Sequence, residues 1–180
     1  MENIKQKLIE SGFKGEMDDS ISTLQFYSHD ASLFEIMPKI VLFPKDNKDV
    51  ITIVKVVAGE KKMNPKLSIT ARSAGTCMSG GAVNDSIIVD FTKHINQFEG
   101  IKGDEARVMP GMFYRDFEKE TLKKNLLMPS YPASRDLSAV VDNLIRFNRF
   151  YLFYSVLLLN FHSLLGNIVY SPISMLFFQV

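Results

Sequence analysis

The chain has 180 residues, enough for one domain with a sizeable core. Its 21 Lys and Arg nearly balance 20 Asp and Glu, so the basic excess that accompanies nucleic-acid binding is absent. A single cysteine excludes an internal disulfide and a cysteine-rich metal cage, and His29, His94 and His162 lie too far apart in sequence to form a metal-ligand motif.

The polar start, Met1 to Lys7, lacks the apolar core of a signal peptide, so a cytoplasmic location is expected. Ile4, Leu8 and Ile9 then recur at helical spacing, with Gly12 and Gly15 to end the helix. Gln25 to Ser32 reads as a polar and aromatic loop. His29 and Asp30 could be a catalytic pair there, but a loop with Ser28 or Asp30 capping a turn is the preferred reading.

Pro38 to Pro44 is an apolar strand bracketed by prolines. Asp46 or Asn47 can cap the helix that follows, which places Val50, Ile53, Val54 and Val57 on one side. Gly59 or Asn64-Pro65 stops it, and Leu67 to Ala71 is a second strand. A helical crossover between two strands is long enough for a parallel pair.

Arg72-Ser73-Ala74-Gly75-Thr76-Cys77-Met78-Ser79-Gly80-Gly81-Ala82 leaves the end of that strand. Glycine and other small residues allow a tight turn in which successive N–H groups converge on one anion, a nest suited to phosphate or pyrophosphate. No Gly-Lys-Ser/Thr closes the loop, and the spacing is not Gly-x-Gly-x-x-Gly. A plain turn is the competing reading. Position favours a ligand, because open α/β sheets bind at the carboxyl ends of their strands. Cys77 has no neighbouring base in sequence and is read as a small loop residue.

Residues 86–91 form a third strand, and Asn96 to Gly103 a turn-rich connection. Glu105 to Met109 alternates as a half-buried strand does, and Pro110-Gly111 breaks it. Tyr114 to Lys124 is predicted helical, with Phe113, Phe117, Thr121 and Leu122 along one side. Leu126 to Arg135 is a proline-marked loop.

Four landmarks fall in one order: Pro38-Lys39-Ile40-Val41-Leu42-Phe43-Pro44, the Arg72–Gly81 loop, the Pro110-Gly111 step, and Pro129-Ser130-Tyr131-Pro132-Ala133-Ser134. By these, residues from about 27 to 140 resemble the FAD-binding domain of the vanillyl-alcohol oxidase / p-cresol methylhydroxylase superfamily, in its glycolate oxidase / D-lactate dehydrogenase branch. The resemblance implies an α+β fold, with a small mixed or parallel sheet and flanking helices. It also implies FAD as cofactor, with the backbone of Ser73, Ala74, Gly75, Thr76, Cys77 and Met78 and the hydroxyl of Ser79 at its pyrophosphate. Pro110 and Gly111 would pass beneath the adenosine, and Pro132, Ala133 and Ser134 would approach the flavin and pyrophosphate. Arg72 would add charge or serve nearby structure. Where some relatives carry a histidine that bonds flavin covalently, this chain has Thr76, so the FAD is expected to be non-covalent.

The resemblance ends at Val140, where the family's Gly-Gly is replaced by Val141-Asp142. Every Asp, Glu, Lys and Arg of the chain lies at or before Arg149. The expected organisation is an N-terminal helical segment over 1–26, a partial FAD-binding domain over 27–140, and an apolar tail over 141–180, helical if ordered. A truncated or frameshifted product is one account of that tail. A membrane segment is a weaker one, since polar residues and Pro172 interrupt it. A buried core helix is the third.

The function implied is that of an FAD-binding fragment of an oxidoreductase acting on a small 2-hydroxy acid in its full-length parent, with no catalytic residue or metal ligand assigned to these 180 residues. A non-catalytic fragment, or a membrane-anchored α/β domain holding another phosphate ligand, are the alternatives.

Overall fold

The computed structural model of the chain describes residues 1–103, 105–127, 134–140, 173–176 and 178–179. They divide into two units, Met1–Ile95 and Asn96–Val180.

In the first unit, α1 (Glu2–Glu10) buries Ile4 and Leu8, and packs on the later helix Asn47–Glu60. Ile9 faces outward. Two elements follow that the sequence pattern does not announce, β1 (Glu16–Asp18) and α2 (Ile21–Tyr27). The N-terminus of α2 is fixed by Ser20, whose hydroxyl accepts from the Thr23 N–H, and by Asp18, which accepts from the Ser20 N–H and the Thr23 hydroxyl. The loop expected from Gln25 therefore begins only at Ser28, where the carbonyl of Gln25 accepts from both the Ser28 N–H and its hydroxyl.

β2 (Ile40–Phe43) is buried at all four positions, as an inner strand covered on both faces should be. Asp46 caps α3 (Asn47–Glu60) by accepting from the Lys48 and Asp49 N–H groups, and Val50, Ile53 and Val57 are its buried apolar side. β3 (Ile69–Arg72) and β4 (Ile87–Asp90) complete a sheet in the order β1-β2-β4-β3. β2 and β3 do run parallel, but each pairs with β4 rather than with the other. Central placement accounts for the unbroken burial of Ile87, Ile88, Val89 and Asp90. Tyr27, Val41, Phe43 and Ile88, with Leu24 beside them, pack α2 onto the sheet.

In the second unit, β5 (Phe98–Lys102) lies where a turn-rich connection was expected. It pairs antiparallel with β6 (Glu105–Val108), with an irregularity between Phe98 and Gly100. β6 alternates as its sequence predicts, burying Ala106 and Val108. α4 (Tyr114–Leu122) buries Tyr114, Phe117 and Thr121, whereas Leu122, expected on that side, is exposed. β7 (Leu126–Leu127) starts the stretch expected as a proline-marked loop. Ala106, Val108, Met112, Tyr114, Phe117, Leu126 and Val140 form the core.

β8 (Ile173–Leu176) pairs antiparallel with β6, and β9 (Phe178–Gln179) with β7. Where the tail is described it is thus strand, not the helix expected; residues 141–172 lie outside the described residues. Among the described residues, no helix is long and apolar enough to cross a membrane.

Candidate functional site

The glycine loop leaves the carboxyl end of β3 and returns to the sheet at β4, and none of residues 73–86 is in a strand. Two glycines shape it. Gly75 and Gly80 have φ of +70° and +77°, where other residues are strained. Both are also crowded. A Cβ on Gly75 would stand 2.6 Å from the Arg72 guanidinium, and one on Gly80 would stand 2.6 Å from the Phe34 ring.

Inside the loop, Cys77 Sγ lies 3.2 Å from the Ser79 hydroxyl and accepts from the Gly81 N–H at 3.4 Å. The Ser79 hydroxyl and N–H, with that of Gly81, hold the thiol below its ordinary pKa. Among the described residues, no protein group accepts a hydrogen bond from the N–H of Gly75, Cys77 or Met78. Ser73, Ala74 and Thr76 have partners of their own. The loop therefore keeps donors outside the sheet ladder, and a doubly charged diphosphate is an acceptor such neutral donors can serve.

Arg72 is buried and bonds backbone. Nη1 donates to the carbonyls of His29 at 2.7 Å, Tyr27 at 3.3 Å and Ala82 at 3.3 Å. Its guanidinium sits 4.9 Å over the Tyr27 ring. The Tyr27 hydroxyl donates in turn to Asp90, and burial beside that carboxylate pushes the phenol pKa well up.

His29 and Asp30 do not act as a pair. The imidazole meets the exposed Glu35, while Asp30 accepts from the N–H groups of Ser32 and Ala82. Burial works against the Asp30 charge, but those bonds and nearby Arg72 hold its pKa low. The Ala31 N–H donates to the Gly75 carbonyl. Tyr27 to Asp30 is thus a wall of the loop that no local pattern reveals; an isolated Tyr-Ser-His-Asp run carries no such signal.

The other expected site residues belong to the second unit. Pro110 and Gly111 are the middle of a turn in which the Met112 N–H reaches the Met109 carbonyl at 3.2 Å. The Ser134 carbonyl accepts from the N–H groups of Leu137 and Ser138. Pro132 and Ala133 lie outside the described residues. An open crevice of about 400 Å³ elsewhere in the first unit, lined by residues including Glu16, Asp18, Phe26 and Lys93, contains none of the expected site residues.

A strand-end glycine loop with backbone donors outside the sheet ladder, on a mixed sheet flanked by helices, suits a nucleotide cofactor. The chain belongs to the FAD binding domain family, whose profile its residues 38–145 match. It is 34% identical over 106 residues to a D-2-hydroxyglutarate dehydrogenase of Escherichia coli (strain K12), covering 59% of this chain and 10% of that protein. A protein of the same name from Pseudomonas putida is 30% identical over 108 residues, covering 59% and 10%. The chain thus spans about a tenth of the length of these curated relatives.

Among solved structures, an alkyldihydroxyacetonephosphate synthase superposes with a TM-score of 0.65 at 14% identity, over 78% of this chain and 28% of that one. For the 6-hydroxy-D-nicotine oxidase of Arthrobacter nicotinovorans the TM-score is 0.57 at 23% identity, over 67% and 26%. These likenesses bear out the α+β class and the p-cresol-methylhydroxylase-type fold expected from the sequence.

Proposed function

We propose that this chain grips the diphosphate of FAD, held non-covalently, as part of a flavin-dependent dehydrogenase of small 2-hydroxy acids. The observation that supports it best is the glycine loop, whose Gly75, Cys77 and Met78 N–H groups lack a protein acceptor among the described residues. These three amides and the Ser79 hydroxyl would hold the diphosphate, and Gly75 and Gly80 give the loop the left-handed turns this needs. By the resemblance, Pro110 and Gly111 would pass beneath the adenosine and Ser134 would approach the flavin and pyrophosphate.

When bound, the flavin supplies hydride and electron acceptance; the chain's own residues hold and orient it. The choice of a 2-hydroxy acid as substrate follows the names of the two dehydrogenases above, which match residues of this chain over little more than half its length. Non-covalent attachment is supported by Thr76, which stands where some relatives carry the histidine that bonds flavin.

The test is a titration of FAD into the purified 180-residue chain, followed by flavin fluorescence. Saturable quenching is expected, as is release of all flavin to the supernatant on acid precipitation. Absence of saturable binding defeats the proposal, and flavin that stays with the precipitate defeats its non-covalent part.

A further inference from the structure

We infer that Arg72 and Asp30 are positioning residues for the diphosphate loop: they hold Ala82 by its carbonyl and its amide respectively, and so close the loop into its binding shape before a ligand arrives. The inference rests on the FAD-binding reading above.

A glycine-rich loop has much conformational freedom to lose, and a site that loses it on binding is weak. Something has to restrain this one beforehand. Arg72 ends β3 and Ala82 is the buried far end of the loop, so the Arg72–Ala82 bond at 3.3 Å ties the two ends together. From the opposite side, Asp30 Oδ2 accepts from the Ala82 N–H at 3.3 Å while Oδ1 takes the Ser32 N–H at 2.8 Å. The same Arg72 nitrogen reaches the carbonyls of Tyr27 and His29, and the Ala31 N–H reaches Gly75 at 3.1 Å. Segment 27–32 and the loop are therefore one hydrogen-bonded body.

Geometry, not charge alone, makes arginine the residue required. Its planar guanidinium lies on the Tyr27 ring and fills the space where Gly75 would carry a Cβ. A lysine ammonium keeps the charge but has no plane to lie on the Tyr27 ring and pack against Gly75. A guanidinium acting only as a distant attraction for phosphate would be largely replaced by lysine. A guanidinium acting as a loop clamp would not.

The experiment uses the 180-residue chain, its Arg72→Lys variant and its Asp30→Asn variant. Each is titrated with FAD by fluorescence and with ADP, a diphosphate without flavin, by calorimetry. Amide hydrogen exchange is measured without ligand. Arg72→Lys is expected to weaken FAD and ADP alike, roughly tenfold or more, as loss of buried hydrogen bonds implies. Asp30→Asn, which keeps one acceptor oxygen of two, is expected to weaken them less. Both should speed exchange across residues 73–83 and leave α3 unchanged.

Wild-type affinity in Arg72→Lys, or unaltered loop exchange, overturns the clamp. Should Arg72→Lys not fold, Gly75→Ala attacks the same contact from the loop side, and wild-type affinity there overturns the clamp equally. If the wild-type chain binds neither FAD nor ADP, the flavin reading and the diphosphate role fall together. Loop exchange in the variants then still decides whether Arg72 and Asp30 close the loop.

Discussion

The glycine loop after β3 and the Pro110-Gly111 turn after β6 both end a strand, yet different forces hold them. In the first, charged side chains bind main-chain groups: Arg72 takes carbonyls and Asp30 takes amides. In the second, main chain binds main chain, with the Tyr114 N–H on the Ser138 carbonyl and the Val140 N–H on the Met112 carbonyl, over a core of Met112, Tyr114, Phe117 and Val140. The difference teaches where each is fragile. A clamp of directed hydrogen bonds fails when one charged group is replaced, with little change in volume. A turn seated on packed rings fails when volume is removed.

The largest expected effect follows from the second case. Phe117 is fully buried and touches Phe98 and Tyr114 ring to ring. Phe117→Ala should cost about 3–5 kcal/mol, through lost burial and the cavity left behind. Denaturant unfolding measures this, and hydrogen exchange should show protection lost across α4. If the glycine loop lost protection to the same extent, the two regions would not be held by separate forces.

Asp49 gives the next effect, on the clamp side of the comparison. Its buried carboxylate accepts from the Lys14 and Lys45 N–H groups, both at 2.8 Å, and so joins the turn before β1 to the turn after β2. Asp49→Ala strands both donors and should cost about 2–3 kcal/mol in denaturant unfolding. Asp46→Ala, which removes only the α3 cap, should cost about 1 kcal/mol. Equal costs would mean that the Asp49 bonds add nothing beyond capping.

Tyr27→Phe should cost less than Asp49→Ala, about 1 kcal/mol. It removes the hydroxyl bonded to Asp90 at 3.0 Å but leaves the ring beneath Arg72. FAD affinity should therefore persist in Tyr27→Phe, and a drop as large as that in Arg72→Lys would show that the hydroxyl, rather than the guanidinium, sets the loop.

What could be read from sequence was what depends on neighbours in sequence. The prolines around β2, the Asp46 cap with the Val50, Ile53 and Val57 stripe, and the alternation of β6 are local patterns, and each is found as expected. The glycine loop was legible for the same reason. β1 was not, because Glu16-Met17-Asp18 is a strand only through pairing with Phe43, Leu42 and Val41. Nor was β5, where Gly100, at φ +120°, breaks the alternation that would have announced it. The insertion of β4 between β2 and β3 is a choice of partner that no local pattern fixes. Arg72 was legible as a residue of the loop but not in its role, since two of its acceptors, Tyr27 and His29, lie far earlier in the chain, at separations of 45 and 43 residues.

Glu16 should give the smallest effect, and one of different character. It bonds Lys93 at 2.5 Å and His94 at 2.7 Å, where β1 passes the turn after β4. The Lys93 ammonium, and then His94, hold its carboxyl below the ordinary 4.5. A carboxylate with a lowered folded pKa favours the folded state above its unfolded pKa, and loses that contribution as pH falls through the folded value. Stability measured by denaturant from pH 7 downward should therefore fall less steeply below about pH 4.5 in Glu16→Gln than in the wild-type chain. The pair is exposed, so added salt should shrink the difference, which it would not do for the buried Arg72 clamp. A salt-independent difference would place Glu16 with the buried hydrogen bonds of the loop rather than with the surface.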